Sequence, residues 1–141
     1  MVCNDVLLQP PLADLDRQCG QILIVDDDRD QAFVLSTALR RLGFQAQVAH
    51  DLATAKQKIE DRLPQLIILD IRLPDGNGLE FCAKLGDAPE TFNTPVVILS
   101  GMESSDIVRQ ARTAGCRYFL RKPYDPNSLL LIVENALADC E

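Results

Sequence analysis

Histidine occurs once in this chain of 141 residues, at His50. A centre that needs several imidazoles is thereby excluded, and within VAHD the residue reads as a solvated loop position. The five cysteines (Cys3, Cys19, Cys82, Cys116 and Cys140) are odd in number, scattered, and never spaced CxxC. Neither a disulfide framework nor a thiolate zinc site is expected, and reduced thiols in a cytoplasmic protein fit better. No apolar run is long enough to span a bilayer. The N-terminus lacks the basic lead into an apolar run that marks a secretory signal. Lysine and arginine number 14 against 21 acids, a net charge of −7. Direct nucleic-acid binding, which takes a basic footprint, is therefore not expected. Gly76 and Gly78 have no GxxxxGK pattern around them and read as turn glycines.

What the chain does have is alternation. A hydrophobic content of 47% and a charged content of 25% are those of a globular protein, and the length allows one domain. Residues 1–20 contain Pro10 and Pro11 and no sustained period, so they read as an arm or linker ahead of a domain at 21–141. Runs rich in β-formers stand at 22–25, 45–49, 66–69, 96–99 and 118–120. Helical spacing fills the intervals. Leu35, Ala38, Leu39 and Leu42 share one face of a helix ending at Gly43, and Leu52, Ala55 and Ile59 follow a cap at Asp51. Leu79, Cys82 and Leu85 follow the PDGNG turn, while Val108 and Ala111 lead to Gly115 behind candidate caps Ser104 and Ser105. The last helix has Asp125 as its cap and Pro126 in its first turn, then Leu129, Leu130, Val133 and Leu137. Such alternation implies right-handed crossovers and a parallel α/β sheet covered on both faces. The near-continuous apolar strands ILIV, LIIL and VVIL agree. Cys82 and Cys116 fall on apolar faces and are expected in the core.

In an open sheet of this class, ligands bind beyond the carboxyl ends of the strands. The first strand ends in Asp26 and Asp27, the third in Asp70, the fourth in Ser100, and the fifth just before Lys122. Carboxylates brought into one cleft repel one another and need a cation. A hard divalent ion such as Mg²⁺, with oxygen ligands, suits them. Cation, ammonium and hydroxyl together suit a dianionic phosphoryl group. A carboxylate beside that group can act as nucleophile and form an acyl phosphate. Asp70, alone at the end of the central strand, is the expected nucleophile, with Asp26 and Asp27 left for the metal. Asp28 and Asp30 extend the acidic run but are expected to favour the first helix's N-terminus through its dipole.

The segments ILIVDD (22–27), LIILDIRLPDGNG (66–78), VVILSG (96–101) and RKP (121–123) stand in this order and, as a set, resemble the receiver domain of the bacterial response-regulator family. The resemblance covers roughly 21–138. It implies a flavodoxin-like, doubly wound (βα)5 fold with a five-stranded parallel sheet in the order 2-1-3-4-5. It also implies a signalling phosphoacceptor rather than an enzyme, taking phosphate onto Asp70 from a sensor histidine kinase or a histidine phosphotransfer protein. Asp27, Asp70 and the backbone carbonyl of Arg72 would contact Mg²⁺, and Asp26 would hold a metal-bound water. Lys122 would contact the phosphate, and Lys122–Pro123 would be cis. Ser100 and Phe119 would form the switch, with Phe in a place where the family often has Tyr. Arg72 and Met102 occupy positions that tune hydrolysis in the family. Tyr118, by strand alternation, should face the opposite way from Phe119.

A haloacid-dehalogenase-type phosphatase also uses a strand-end aspartate, but here Arg72 stands where its second acid would be. An FMN module would have to place an anionic cofactor on an acidic site. The segment from 104 to 122 holds Arg109, Arg112, Arg117, Arg121 and Lys122 against Asp106, and Glu134, Asp139 and Glu141 follow. The fourth helix, fifth strand and fifth helix are therefore expected to form a face of divided charge that supports a possible homodimer.

Overall fold

Every strand of the sheet but the outer two is buried along its whole length. The computed structural model describes residues 21–101 and 106–139. Counting strands of the main sheet only, the elements run β1 (Gln21–Val25), α1 (Arg29–Arg41), β2 (Gln45–Ala49), α2 (Leu52–Asp61) and β3 (Leu66–Asp70). They continue with α3 (Gly78–Asp87), β4 (Val96–Ser100), α4 (Asp106–Thr113), β5 (Tyr118–Arg121) and α5 (Pro126–Asp139). All pairings in the sheet are parallel, and the spatial order is β2-β1-β3-β4-β5. A short antiparallel ribbon, Arg72–Leu73 against Gly76–Asn77, stands between β3 and α3. The fold is the flavodoxin-like one expected.

Alternation along β3 divides the core in two. Leu66 and Ile68 pack with Leu35 and Leu39 of α1 and Leu129 and Val133 of α5. Ile67 and Leu69 pack with Ala55 of α2, Leu79, Cys82 and Leu85 of α3, and Ile107 and Ala111 of α4. Phe119 joins the second layer and Tyr118 the first, so the two aromatics face opposite ways as alternation requires. Cys82 and Cys116 are buried thiols, and burial pushes Cys82 up to about 11, which leaves it unreactive at neutral pH.

Two details differ from the pattern read along the chain. On α1 the buried face is Ala32, Leu35, Ser36 and Leu39, while Leu42 is exposed. Leu42 has already left the helix as its C-cap. Ser36 tolerates burial because its hydroxyl donates to the Phe33 carbonyl at 3.0 Å. On α4, Ile107 is more deeply placed than Val108, and the candidate caps Ser104 and Ser105 lie outside the described residues. The helix ends at Gly43 and Gly115 follow one physical rule. Both glycines have positive φ, 97° and 90°. Gly43 N–H returns to Arg40 and Phe44 N–H to Leu39, and Gly115 and Cys116 repeat the pattern on Arg112 and Ala111. These paired bonds satisfy the last carbonyls of each helix.

Candidate functional site

The strand order reverses between β1 and β3, and the polar strand ends gather beside that point. Asp26, directly after β1, is only 1% exposed, yet its carboxylate is placed: Oδ1 accepts the Asp28 N–H at 3.0 Å. Asp27 is exposed. Asp28 caps α1 by accepting the Gln31 N–H, and Asp30 lies in that helix's first turn, as their positions suggested. Asp70 is the last residue of β3 and 7% exposed; Ser100 is the last of β4 and 1% exposed. Both strands run one residue further than their apolar runs, which places these polar groups inside the sheet's hydrogen-bonded edge. Asp26, Asp27 and Asp70 each bring a carboxylate oxygen to within 4.8 Å of the others.

Lys122 closes the cluster. Its backbone N–H donates to the Ser100 carbonyl at 2.7 Å, which carries the chain past β5 toward the cleft. Its Nζ then lies 3.0 Å from Asp70 Oδ2 and 3.5 Å from Asp26 Oδ2. The Lys122–Pro123 bond is cis, as expected. Burial works against the ammonium, but the hydrogen bond and charge of Asp70, with Asp26 behind, outweigh it and raise Lys122 above the usual lysine value. Asp26 is pushed up to about 6, chiefly by burial, with the charge of Asp70 adding to it. The Asp28 amide and Lys122 pull the other way. A cleft of about 210 Å³ opens beside these groups, lined by Asp70, Ile71, Arg72, Ser100 and Gly101.

Three residues assigned no role at the site from the sequence help hold it. Gly78 was expected to be a turn glycine; it opens α3, its N–H donates to the Ile71 carbonyl at 2.7 Å, and a Cβ there would overlap the Asp70 carbonyl oxygen. Gly78→Ala is expected to lower stability by about 1–3 kcal/mol, the cost of overpacking a fixed backbone, as read from paired urea unfolding curves. An unchanged midpoint would show that the β3–α3 loop yields freely. Asp75, at the tip of the ribbon, accepts the Leu52 and Ala53 N–H groups at 2.8 and 3.0 Å and so ties the Arg72 loop to the start of α2. His50, expected to be solvated, is half-buried, and its Nδ1 lies 2.9 Å from the Asp26 carbonyl oxygen. Its position opposite Asp26 follows from the β1–β2 register, which the sequence does not display. Met102 lies outside the described residues.

This geometry has counterparts. The family model described as the response regulator receiver domain matches residues 22–134. The chain belongs to that family. Among curated relatives, this receiver domain is 32% identical over 119 residues to the transcriptional regulatory protein ZraR of Klebsiella oxytoca, covering 83% of the chain and 26% of the relative. It is 33% identical to the photosynthetic apparatus regulatory protein RegA of Rhodobacter capsulatus, covering 77% of the chain and 58% of the relative. The chain thus spans only about a quarter to somewhat over half the length of these two relatives. Among solved structures, a putative response regulator from Chloroflexus aurantiacus superposes with a TM-score of 0.80 at 32% identity, over 84% of this chain and 98% of that one. The beryllofluoride-activated NtrC4 receiver domain dimer also gives 0.80, at 28% identity, over 86% and 98%. A phosphoacceptor role is characteristic of receiver domains, and they act as signalling modules.

Proposed function

We propose that Asp70 is the phosphoacceptor of this receiver domain, with Lys122 and Ser100 completing the site. The observation that carries this reading is the 3.0 Å bond from Lys122 Nζ to Asp70 Oδ2, Asp70 itself lining a cleft with Ser100 and Gly101. Lys122 orients the carboxylate and supplies positive charge where phosphoryl oxygens would lie. An Asp70 oxygen forms the new bond to phosphorus while the donor's bond breaks, the electron pair staying on the departing imidazole nitrogen of a histidine kinase or phosphotransfer protein. The Asp26, Asp27 and Asp70 carboxylates form an all-oxygen cluster that suits a hard divalent cation such as Mg²⁺. The Arg72 carbonyl would help to hold the ion, and Asp26 would meet it through a bound water, as in the family's pattern. Bound there, the ion would neutralise charge on the phosphoryl oxygens.

Residues 21–141 form the receiver unit in this reading, with 1–20 as an arm or linker, acting in the cytoplasm. Among the described residues no helix is long and apolar enough to cross a membrane. Partners are proteins, since a net charge of −7 offers little to nucleic acid. Phosphorylation, relayed by Ser100 and Phe119, favours a homodimer through α4, β5 and α5. Arg109, Arg112, Arg117 and Arg121 are exposed, as is Glu134, whereas Lys122 is paired with Asp70 and Asp26. Asp139's side chain and Glu141 lie outside the described residues.

Incubation with acetyl phosphate should add one phosphoryl group by intact mass in Mg²⁺ and none in EDTA. Sedimentation with beryllofluoride should show a heavier species than without it. No adduct in Mg²⁺ would refute the phosphoacceptor reading; a monomer in both states would refute the dimer.

A further inference from the structure

The β1–β2 ladder runs out just where the acidic pair begins. Val25 pairs with Ala49, so Asp26 stands opposite His50, and the Asp26 N–H still donates to the Ala49 carbonyl at 3.0 Å. In a parallel ladder the carbonyl of that same residue would accept from the N–H two positions further along the neighbouring strand, here Asp51. Asp51 has left the strand, however: it is the N-cap of α2, its side chain accepting the Thr54 N–H. At the Asp26 carbonyl the donor is the His50 ring, with Nδ1 at 2.9 Å. A carbonyl can only accept, so the nitrogen facing it carries the proton.

We propose that His50 is a positioning residue for the cation-binding acids, replacing the missing ladder N–H with its own side chain. The inference rests on the reading that Asp26, Asp27 and Asp70 hold a divalent cation. With His50 in place, both backbone groups of Asp26 are bonded, and its Oδ1 is held by the Asp28 N–H. The peptide plane between Asp26 and Asp27 is thereby fixed. That plane sets the direction in which Asp27, itself exposed, leaves the strand. Without the donor the plane can turn, and the Asp27 carboxylate turns with it. Groups that orient metal ligands from behind are typically worth about ten- to a hundredfold in affinity.

The test uses the tag-free full chain, in which a single histidine leaves one imidazole to observe. Mg²⁺ affinity is measured by calorimetry for wild type, His50→Leu, His50→Asn and Asp27→Ala. His50→Leu should bind about tenfold more weakly. His50→Asn, whose amide nitrogen can sit where Nδ1 does, should stay within about threefold of wild type. Long-range proton–nitrogen NMR of the wild type in mildly alkaline buffer should show the Nδ1–H tautomer, and the Nδ1 signal should move on adding Mg²⁺. This arm decides the matter even if His50→Leu fails to fold. Wild-type affinity in His50→Leu, an Asn variant as weak as Leu, or an Nε2–H tautomer would each overturn the inference. Unchanged Mg²⁺ binding in Asp27→Ala would overturn the site reading beneath it. Loss in Asp27→Ala with full binding in His50→Leu would overturn the role of His50 alone.

Discussion

Asp70→Asn should abolish phosphoryl uptake while leaving the fold intact. The substitution replaces a nucleophilic carboxylate with an amide that cannot form an acyl phosphate, so no adduct should appear under conditions that modify the wild type completely. The shape of the residue is kept. Asp70 ends a strand in which Leu66, Ile67, Ile68 and Leu69 are buried, and those contacts do not depend on the carboxylate. The amide oxygen can still accept from Lys122, although without a full charge. Far-UV circular dichroism should therefore match the wild type. The measurement is intact mass after acetyl phosphate and Mg²⁺, followed by peptide mapping. An adduct of wild-type yield in the Asn variant would move the phosphoacceptor elsewhere.

Asp26→Asn should stabilise the metal-free protein at neutral pH by about 3 kcal/mol, a conversion of the upward shift of Asp26 into free energy at about 1.4 kcal/mol per pH unit. The carboxyl is raised from 3.8 to about 6, mainly because it is buried. A raised folded-state value means that the protonated form is the favoured one in the folded protein. The stability it confers is fully present below 3.8 and is lost as pH rises through about 6. Above that, the folded wild type carries a buried carboxylate that Lys122 and the Asp28 amide compensate only in part. Asparagine imitates the protonated acid at every pH. The gap in unfolding free energy between variant and wild type, measured in EDTA, should be close to zero near pH 4 and fully open above pH 7. A gap that does not change with pH, or an Asn variant less stable at neutral pH, would contradict the account. An acid kept buried at this cost in stability fits a site selected for binding a cation rather than for folding.

The residue types at this site could be read from the chain because strand burial writes them plainly. An apolar run that ends abruptly in Asp, Ser or a Lys-Pro pair marks both a buried parallel strand and what it delivers to the sheet edge. That reasoning located Asp26, Asp27, Asp70, Ser100 and Lys122, the alternation of strands and helices, and the opposite facing of Tyr118 and Phe119. Spacing alone was less secure on α1, where Ser36 is buried and Leu42 is not. A polar residue can satisfy its hydroxyl within its own helix, and an apolar one can fall just past the helix end.

What only the tertiary structure decided is which atoms meet between elements. Lys122 reaches Asp70 and Asp26 across 52 and 96 positions of chain. His50 takes over a ladder bond because β2 ends where α2 must be capped. Asp75 holds α2 from the tip of the ribbon, and Gly78 is required by the Asp70 carbonyl rather than by a turn. Periods of 2 and 3.6 report which face of an element is buried. They carry no information on where the loops leaving neighbouring strands will place their backbone oxygens and ring nitrogens, because that depends on register and packing across the whole sheet.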